Sequence, residues 1–308
     1  MVVVRKLLPH DINDVVTRIV RRLREDAEKK ELINPAVSVD LLRRALATST
    51  SSTWVAYDED RIVGHLYGAL LQHAGYGAGA WIGPDGVSFD DDDVLASLYA
   101  AAGQEWISEG ARNHFVWTLD NPSTTSAWID LGFSKMHARG VMALRRGQHQ
   151  LNGDYILRRG TIDDLELALQ LDDELDRAQR EGPSFAMGLS TASQRDDWTE
   201  TLTDPETNHF VVDYRGAGVA QCVTFALPTQ RSTYDKTIHL SAVVVRDEHR
   251  RRGVASAMID AAFNDAMKQG FEYGETIWRV SNRQATHYWS NFGFETTYVR
   301  LHRTIGPF

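Results

Sequence analysis

The sequence has little of several features that mark particular classes of protein. Only one of its 308 residues, Cys222, is a cysteine. An intrachain disulfide and a zinc site built from cysteines are therefore excluded, and we expect a cytoplasmic protein. No apolar run approaches the length that spans a membrane. The apolar part of Met1–Lys6 is also too short for a signal peptide.

Positive charge is in deficit as well. The chain has 33 Lys and Arg residues against 42 Asp and Glu residues, a formal net charge of −9. This balance argues against a protein that binds nucleic acid through bulk electrostatic attraction. Hydrophobic residues make up 43% of the chain, which predicts a well-formed core in a chain long enough for two domains.

A strand, a basic turn and a helix follow one another around residue 250. The apolar run Leu240–Val245 predicts a strand, and the Ala-rich run Ser256–Phe263 predicts a helix. Between them lie Arg250 and Gly253, and glycine allows a close approach of the backbone to a ligand. Such a turn directs backbone N–H groups and a helix N-terminus at one point, which favours a bound phosphate.

The pattern Arg250-x-x-Gly253-x-Ala255 resembles the pyrophosphate-binding signature of the GNAT superfamily of acyl-CoA-dependent N-acyltransferases. Residues 282–294 are similar to a second superfamily segment, in which an Asn is followed by an Ala three residues later, an aromatic pair and Gly-Phe. The resemblance implies acetyl-CoA as co-substrate and no metal. The cofactor contacts that it implies are Val243, Val244, Val245, Arg250, Arg251, Arg252, Gly253, Val254, Ala255, Ser256, Asn282 and Tyr288.

In the superfamily, the strand before the basic turn commonly carries a carboxylate that removes the proton of the amine. Residues 238–245 contain no carboxylate. Alternation along the strand predicts that His239 shares a face with Ser241, Val243 and Val245. A histidine has the intrinsic pKa of a base near neutral pH, so His239 is the candidate base. The alternative is a structural histidine bonded to a neighbouring carbonyl group.

The superfamily also uses a Tyr that protonates the departing thiolate of CoA. Counting back from Gly293 puts that position at Trp289, whose indole N–H is not a useful acid. Tyr288, about 100° around the helix, is the candidate acid, with His287 as an alternative near the thiol. The alternative role for Tyr288 is core packing, and Asn282 can likewise serve only to end the preceding strand.

The chain also repeats itself. Four residues of the N-terminal half recur 161 positions later in the C-terminal half. The pairs are Trp117 and Trp278, Asn121 and Asn282, Trp128 and Trp289, and Gly132 and Gly293. A repeat of this length predicts a duplicated domain. We expect an α/β (α+β) protein of two tandem GNAT-fold domains, 1–150 and 151–308, each a mixed, mostly antiparallel sheet flanked by helices. This layout resembles the mycothiol synthase type, with 147–154 as the linker.

The halves differ where the basic turn lies. The corresponding part of the N-terminal half contains the four aspartates Asp90–Asp93. Aspartates repel a pyrophosphate, and they also cap helices, here the helix predicted for residues 94–108. We therefore interpret 1–150 as a degenerate domain without a pyrophosphate loop and 151–308 as the catalytic domain.

The acceptor is the least determined part of the prediction. In the GNAT fold the acceptor cleft is built from the first helices and the loop after the third strand. Here these segments contain Asp172, Asp173, Glu174, Asp176, Glu181, Gln230, Tyr234 and Asp235, with Trp198 as cleft wall or core. Acids there suit a cationic amine, although 165–180 also has the pattern of an amphipathic helix with an acidic solvated face.

The predicted function is N-acetylation of a primary amine of a small molecule, by direct attack on acetyl-CoA in the C-terminal domain. We expect a monomer or homodimer without nucleic-acid or membrane partners. Two alternatives stay open: a non-catalytic acyl-CoA-binding or sensor protein, which Trp289 and the missing carboxylate favour, and an acetyltransferase of a protein or peptide amine.

Overall fold

The computed structural model describes residues 2–49, 52–73, 76–186, 191–227 and 234–306. The chain divides into two compact units. Unit 1 comprises the described residues of 1–138 and 296–308, and unit 2 comprises those of 139–227 and 234–295. The last strand of the chain therefore belongs almost entirely to unit 1.

Unit 1 contains two sheets and four helices among its described residues. Its elements are β1 Val3–Lys6, α1 Ile12–Lys29, α2 Val39–Thr48, β2 Thr53–Asp58, β3 Arg61–Tyr67, β4 Ala69–His73, β5 Gly77–Ile82, β6 Val87–Phe89, α3 Asp92–Ser108, β7 Asn113–Leu119, α4 Pro122–Asp130, the first half of β8 Ser134–Ala143, and β14 Glu295–Thr304. One sheet has the order β1-β2-β3-β6 and is antiparallel. The other contains β4-β5-β7-β14, in which only β5 and β7 are parallel.

Unit 2 has the sheet order β8-β13-β12-β11-β10-β9. Its elements are the second half of β8, β9 Tyr155–Arg159, α5 Leu165–Arg180, α6 Thr191–Thr203, β10 Thr207–Tyr214, β11 Ala217–Ala226, β12 Thr237–Val245, α7 Val254–Lys268, β13 Tyr273–Arg279 and α8 Arg283–Phe292. The strands from β9 to β12 pair in antiparallel fashion, and β12 pairs with β13 in parallel. Mixed, mostly antiparallel sheets flanked by helices confirm the predicted fold class.

Apolar residues at helical spacing build the cores. Leu95, Leu98, Ala102 and Trp106 form one stripe of α3, and it is buried against the sheet of unit 1. The corresponding helix of unit 2, α7, buries Met258, Ile259, Ala262 and Phe263. Burying each large apolar side chain contributes about 1.5–3 kcal/mol, so these stripes hold each helix on its sheet.

Both units begin with the same ion pair. Arg5 in β1 binds Asp11 at 2.7 Å, and Arg158 in β9 binds Asp164 at 2.8 Å. Burial would raise the pKa of Asp11, but hydrogen bonds from Arg5, Tyr57 and the Leu8 N–H outweigh it and lower that pKa to about 2. The hydrogen bonds of Arg158 lower the pKa of Asp164 in the same way. Each pair fixes the first strand to the start of the first helix.

The repeat holds in the helices but not in the strands before them. Trp128 and Trp289 are both buried, and α4 and α8 are capped by Asn121 and Asn282. The predicted equivalence of Trp117 and Trp278 is wrong, because the two side chains lie on opposite faces. Trp117 packs with Ile33 and Tyr298 beside α1, whereas Trp278 packs against Trp289 of α8.

The cause is one additional residue between strand and helix in unit 2. Two residues separate β7 from α4, and three separate β13 from α8. Since side chains alternate along a strand, an offset of one residue exchanges the faces. Val116, the neighbour of Trp117, is the residue of β7 that packs in the core with α3 and α4.

Candidate active site

The sheet of unit 2 opens in its middle. β12 pairs with β13 only from Thr237 to Leu240, opposite Tyr273 to Thr276. The pairing with β11 on the other side continues as far as Val245. The edge of residues 241–245 that faces β13 is therefore outside the ladder, and its N–H groups are available to a ligand, whereas the Val245 carbonyl accepts from Arg250.

A β-bulge lies at the point of divergence. Ser241 is opposite Val223 and Val244 is opposite Gln221, so two residues of β12 face Cys222 alone. Ala242 occupies the left-handed region with φ of 50°, an uncommon conformation for alanine. Bulges of this kind bend a strand and redirect its side chains.

The bulge corrects the alternation predicted for this strand. His239 and Ser241 share one face, but the next residue on that face is Val244, because it is opposite Gln221. Val245 lies on the other face, opposite Ala220. The prediction that Val243 and Val245 continue the face of His239 is therefore wrong, since the additional residue shifts the period by one.

Eight residues, Arg246–Gly253, connect β12 to α7. Arg251 and Gly253 both have positive φ, 57° and 78°. Among the described residues, the N–H groups of residues 251–253 donate no hydrogen bond, and those of the first turn of α7 donate none within the helix. Consecutive free N–H groups at the positive end of a helix form an anion cradle. We call residues 251–256 the N–H cradle.

The three consecutive arginines of this connection, Arg250–Arg252, have different environments. Arg250 folds back onto the loop, where its Nε donates to the Val245 carbonyl at 3.0 Å and its Nη1 lies 2.7 Å from Asp247. Arg251 and Arg252 are exposed. His249 is held by the Tyr155 hydroxyl of β9 at 2.9 Å. The loop is thus anchored at its base, and Arg251 and Arg252 supply its exposed positive charge.

Tyr288 of α8 reaches the start of α7. Its hydroxyl lies 3.2 Å from the hydroxyl of Ser256, which belongs to the N–H cradle. Burial raises the pKa of Tyr288 to about 12, so the phenol keeps its proton at neutral pH. Trp289 is buried against Trp278 and Phe294. His287 is exposed. Of the aromatic pair, Tyr288 is the residue that brings a polar atom to the cradle.

Asn282 lies three residues beyond the end of β13 at Arg279 and directly precedes α8. Its Oδ1 accepts a hydrogen bond from the N–H of Ala285 at 3.0 Å and so caps α8. This cap uses only the oxygen of the side-chain amide, and the NH₂ group lies outside it.

His239 lies beside a buried carboxylate that the sequence analysis did not identify. Glu275 is in register with it on β13, and its Oε1 is 3.5 Å from His239 Nδ1. The ring of Phe225 covers His239 with a centroid distance of 5.0 Å. The acidic residue two positions before Ile277 was the available signal, but the partner strand had to be known before it could be used.

The acids predicted for the acceptor region separate into two groups. Glu174 forms an ion pair with Arg246, Asp173 lies 3.4 Å from Arg180, and Glu181 and Asp235 are exposed. Gln230 lies outside the described residues.

The second group is half-buried. Asp172 accepts a hydrogen bond from the Trp198 indole at 3.0 Å, and Gln194 lies 3.4 Å from both Asp172 and Asp176. Burial raises the pKa of Asp172, and it raises that of Asp176 as well. Trp198 belongs to a core cluster with Ala168 and Val223.

Unit 1 differs at the corresponding connection. Only Asp90 and Asp91 separate β6 from α3. Asp90 binds Arg18 at 2.6 Å and Arg61 at 3.0 Å, and these cations outweigh its burial and lower its pKa. Asp91 caps α3 by accepting from the Val94 N–H at 2.9 Å. The capping role considered for these aspartates is confirmed for Asp91.

The described part of the chain contains neither a helix that could span a membrane nor a cluster of metal ligands. None of its helices has the length and apolar character needed to cross a membrane. No group of three or more His, Cys, Asp or Glu residues within it is arranged to hold a metal ion.

Comparison with known proteins gives the family of this site. Residues 173–294 match the family model described as "Acetyltransferase (GNAT) family". The chain therefore contains a domain of the GNAT acetyltransferase family, whose fold implies acyl transfer from acyl-CoA. No curated protein matches the chain significantly.

Solved structures share the fold over the whole chain. A GCN5-related N-acetyltransferase from Sphaerobacter thermophilus is 17% identical with a TM-score of 0.64, covering 99% of this chain and 96% of its own. A tandem GNAT protein from the clavulanic acid biosynthesis pathway is 16% identical with a TM-score of 0.55, covering 100% of both chains. A GCN5-related N-acetyltransferase from Kribbella flavida is 11% identical with a TM-score of 0.51, covering 80% of this chain and 87% of its own.

Proposed function

We propose that unit 2 transfers an acetyl group from acetyl-CoA to a primary amine of a small molecule by direct attack. The observation that carries this proposal is the opening between β12 and β13 beside the N–H cradle. An extended chain of amides fits a free strand edge, and a pyrophosphate fits a cradle of N–H groups with two exposed arginines. In this proposal the half 151–308 is catalytic and the half 1–150 is degenerate.

In this proposal, different residues bind different parts of acetyl-CoA. The backbone of Val243–Val245 holds the pantetheine arm and polarises the thioester carbonyl, in the manner of an oxyanion site. Arg251 and Arg252 neutralise the pyrophosphate, while Arg250 keeps the loop in shape. The NH₂ group of Asn282 binds the arm, because the helix cap uses only the oxygen of this side chain.

The chemistry needs one base and one acid. The amine nitrogen attacks the thioester carbon, a C–N bond forms, and the C–S bond breaks. His239 takes the proton that the amine loses, directly or through one water molecule. Tyr288 gives a proton to the departing sulfur. Holding the reactants together supplies much of the rate, so a weak acid suffices.

Asp172 and Asp176 support a cationic acceptor. They are half-buried carboxylates of the first helix of unit 2, and unlike Glu174 neither has a short ion pair to Lys or Arg among the described residues. A second ammonium group on the acceptor would neutralise them and regain the cost of their burial.

The experiment is a thiol-release screen with acetyl-CoA and a panel of mono-, di- and polyamines, amino sugars and peptides. We expect release with at least one small amine and a fall of about 10²-fold or more in His239→Gln. Thermal protection by CoA without release from any amine would instead support a non-catalytic acyl-CoA-binding protein. Release only with peptides would support the protein-directed alternative.

A further inference from the structure

Three charged or titratable side chains form a row across neighbouring strands of unit 2. His239 on β12, Glu275 on β13 and Arg139 on β8 have side-chain exposures of 13%, 3% and 6%. Glu275 occupies the centre. Its Oε1 is 3.5 Å from His239 Nδ1, and its Oε2 is 3.9 Å from Arg139 Nε.

The burial of this row is costly. Removing a carboxylate from water costs several kcal/mol, and good hydrogen bonds are needed to offset it. Here the hydrogen bonds are incomplete, because Glu275 Oε2 and His239 Nδ1 have no hydrogen-bond partner among the described residues. An apolar residue would pack at this position of β13 without that cost. The carboxylate is therefore poorly explained by stability alone.

We infer that Glu275 is a positioning residue that sets the tautomer and orientation of His239. This inference rests on the proposed function, in which His239 is the base. The distance of 3.5 Å is within ion-pair range, and a small rotation of the imidazole ring brings Nδ1 into hydrogen-bond range. Hydrogen bonds of this kind are often long before substrate binds.

The consequence for the imidazole is specific. When Nδ1–H donates to Glu275, the lone pair of the neutral ring is on Nε2, the nitrogen that then accepts the proton of the amine. The positive charge that the ring gains on taking a proton is then stabilised by the buried carboxylate. Arg139 Nε lies 3.9 Å from the second oxygen of Glu275 and places a positive charge on the other side of that carboxylate.

The competing explanation is structural. Glu275 and Arg139 can serve only to join β13 to β8, with His239 a bystander. Both explanations predict damage from Glu275→Gln, so loss of activity alone does not separate them. A double-mutant cycle does, because a residue that acts through His239 loses its effect when His239 is absent.

The first experiment measures thiol release for the wild type, Glu275→Gln, His239→Gln and the double variant. We expect Glu275→Gln to lower kcat about 10- to 100-fold with the KM for acetyl-CoA nearly unchanged, and to cause no further loss in the His239→Gln background. Equal losses in both backgrounds would overturn the inference, as would no loss in the wild-type background. Glu272→Gln is the matched control, because that exposed carboxylate pairs with Lys236 at the surface and its loss should have no effect on thiol release.

The second experiment requires no activity. ¹⁵N NMR of labelled imidazole, assigned with His239→Gln, reports which ring nitrogen of neutral His239 carries the proton. We expect the Nδ1–H tautomer in the wild type and a mixture in Glu275→Gln, whose amide can either accept or donate. An Nε2–H tautomer in the wild type overturns the inference, even if Glu275→Gln fails to fold. If no amine releases thiol, the proposed function fails, and the tautomer alone then decides the inference about Glu275.

Discussion

The connection that leads into the third helix takes a different form in each unit. It runs from β12 to α7 in unit 2 and from β6 to α3 in unit 1. In unit 2 it has eight residues, two of them in the left-handed region, and it presents free N–H groups. In unit 1 it has two residues, and both are committed. Asp90 pairs with two arginines and Asp91 caps the helix. The two-residue connection of unit 1 is too short to form an N–H cradle, and its two aspartates stabilise the fold instead.

The strand that leads into this connection also differs between the two units. In unit 2 the single bulge at Ala242 bends β12 away from β13 while it stays one strand. In unit 1 residues 83–86 interrupt the strand completely, giving β5, which pairs with β7, and β6, which pairs with β3. What both units keep is the Arg–Asp pair at the start of each. The shared parts are thus those that hold the fold, and the parts that differ surround the cradle.

The largest expected effect comes from making the cradle resemble unit 1. Gly253→Asp brings a carboxylate to the N–H groups and requires an aspartate at φ of 78°. Like charges at a binding site cost several kcal/mol, so we expect thermal protection by CoA to be lost. Gly216→Asp is the control, because Gly216 has φ of 83°, equally open space and no cradle. Full protection in Gly253→Asp would contradict the assignment of the site.

The next effect concerns the stability of unit 1. Arg18 is 9% exposed and donates to the carbonyl groups of Ile62 and Val63 as well as to Asp90. Arg18→Met leaves these acceptors unpaired, and we expect a loss of about 3 kcal/mol in the free energy of unfolding by urea titration. Arg61→Met, which removes the exposed partner of the same Asp90, should cost less than about 1 kcal/mol. Equal losses would show that Asp90 is not held by its buried partner.

Lowering the pH should show how much the Arg5–Asp11 ion pair contributes to the free energy of unfolding. The folded-state pKa of Asp11, about 2, lies below its ordinary value. Its stabilisation is thus fully present above about pH 4 and is lost as the pH falls toward 2. Asp11→Asn should cost about 2 kcal/mol at neutral pH, and its stability should converge with the wild type between pH 4 and 2. A constant difference over that range would rule out the linkage.

The smallest effect tests the cap that replaces the cradle. Asp91→Ala removes the acceptor for the Val94 N–H and should destabilise the protein by about 1 kcal/mol, read as a lower midpoint of thermal unfolding. Asp93→Ala, in the first turn of the same helix, removes only a charge near the helix dipole and should destabilise the protein by about 0.3 kcal/mol. If the two variants behave alike, the role of Asp91 is electrostatic and not that of a cap.

Local pattern was sufficient for the elements and for the cradle. The apolar and polar periods of residues 165–180 and 94–108 predicted helices that the structure confirms as α5 and, two residues longer, as α3. The turn around Gly253 was readable because a left-handed residue before a helix needs neighbours in sequence only. The Asn caps of α4 and α8 are just as local, but the sequence analysis did not predict them.

Features that depend on a partner strand were out of reach. The bulge at Ala242 exists only relative to β11, and it moved Val244 and Val245 to faces other than those predicted. The strand-to-helix connection that is one residue longer in unit 2 puts Trp117 and Trp278 on opposite faces, and this too is visible only in the folded structure. A shift of one position exchanges the faces of a strand, and sequence alone does not reveal such a shift.

The sequence by itself determined the family resemblance, the tandem layout and the single basic turn, because each is written in consecutive residues. The tertiary structure decided which groups meet: Glu275 beside His239, Tyr288 beside Ser256, and Asp90 between Arg18 and Arg61. It also assigned residues 296–306 to unit 1. These contacts join residues far apart in the chain, and they form only when burial and strand pairing select one register among many.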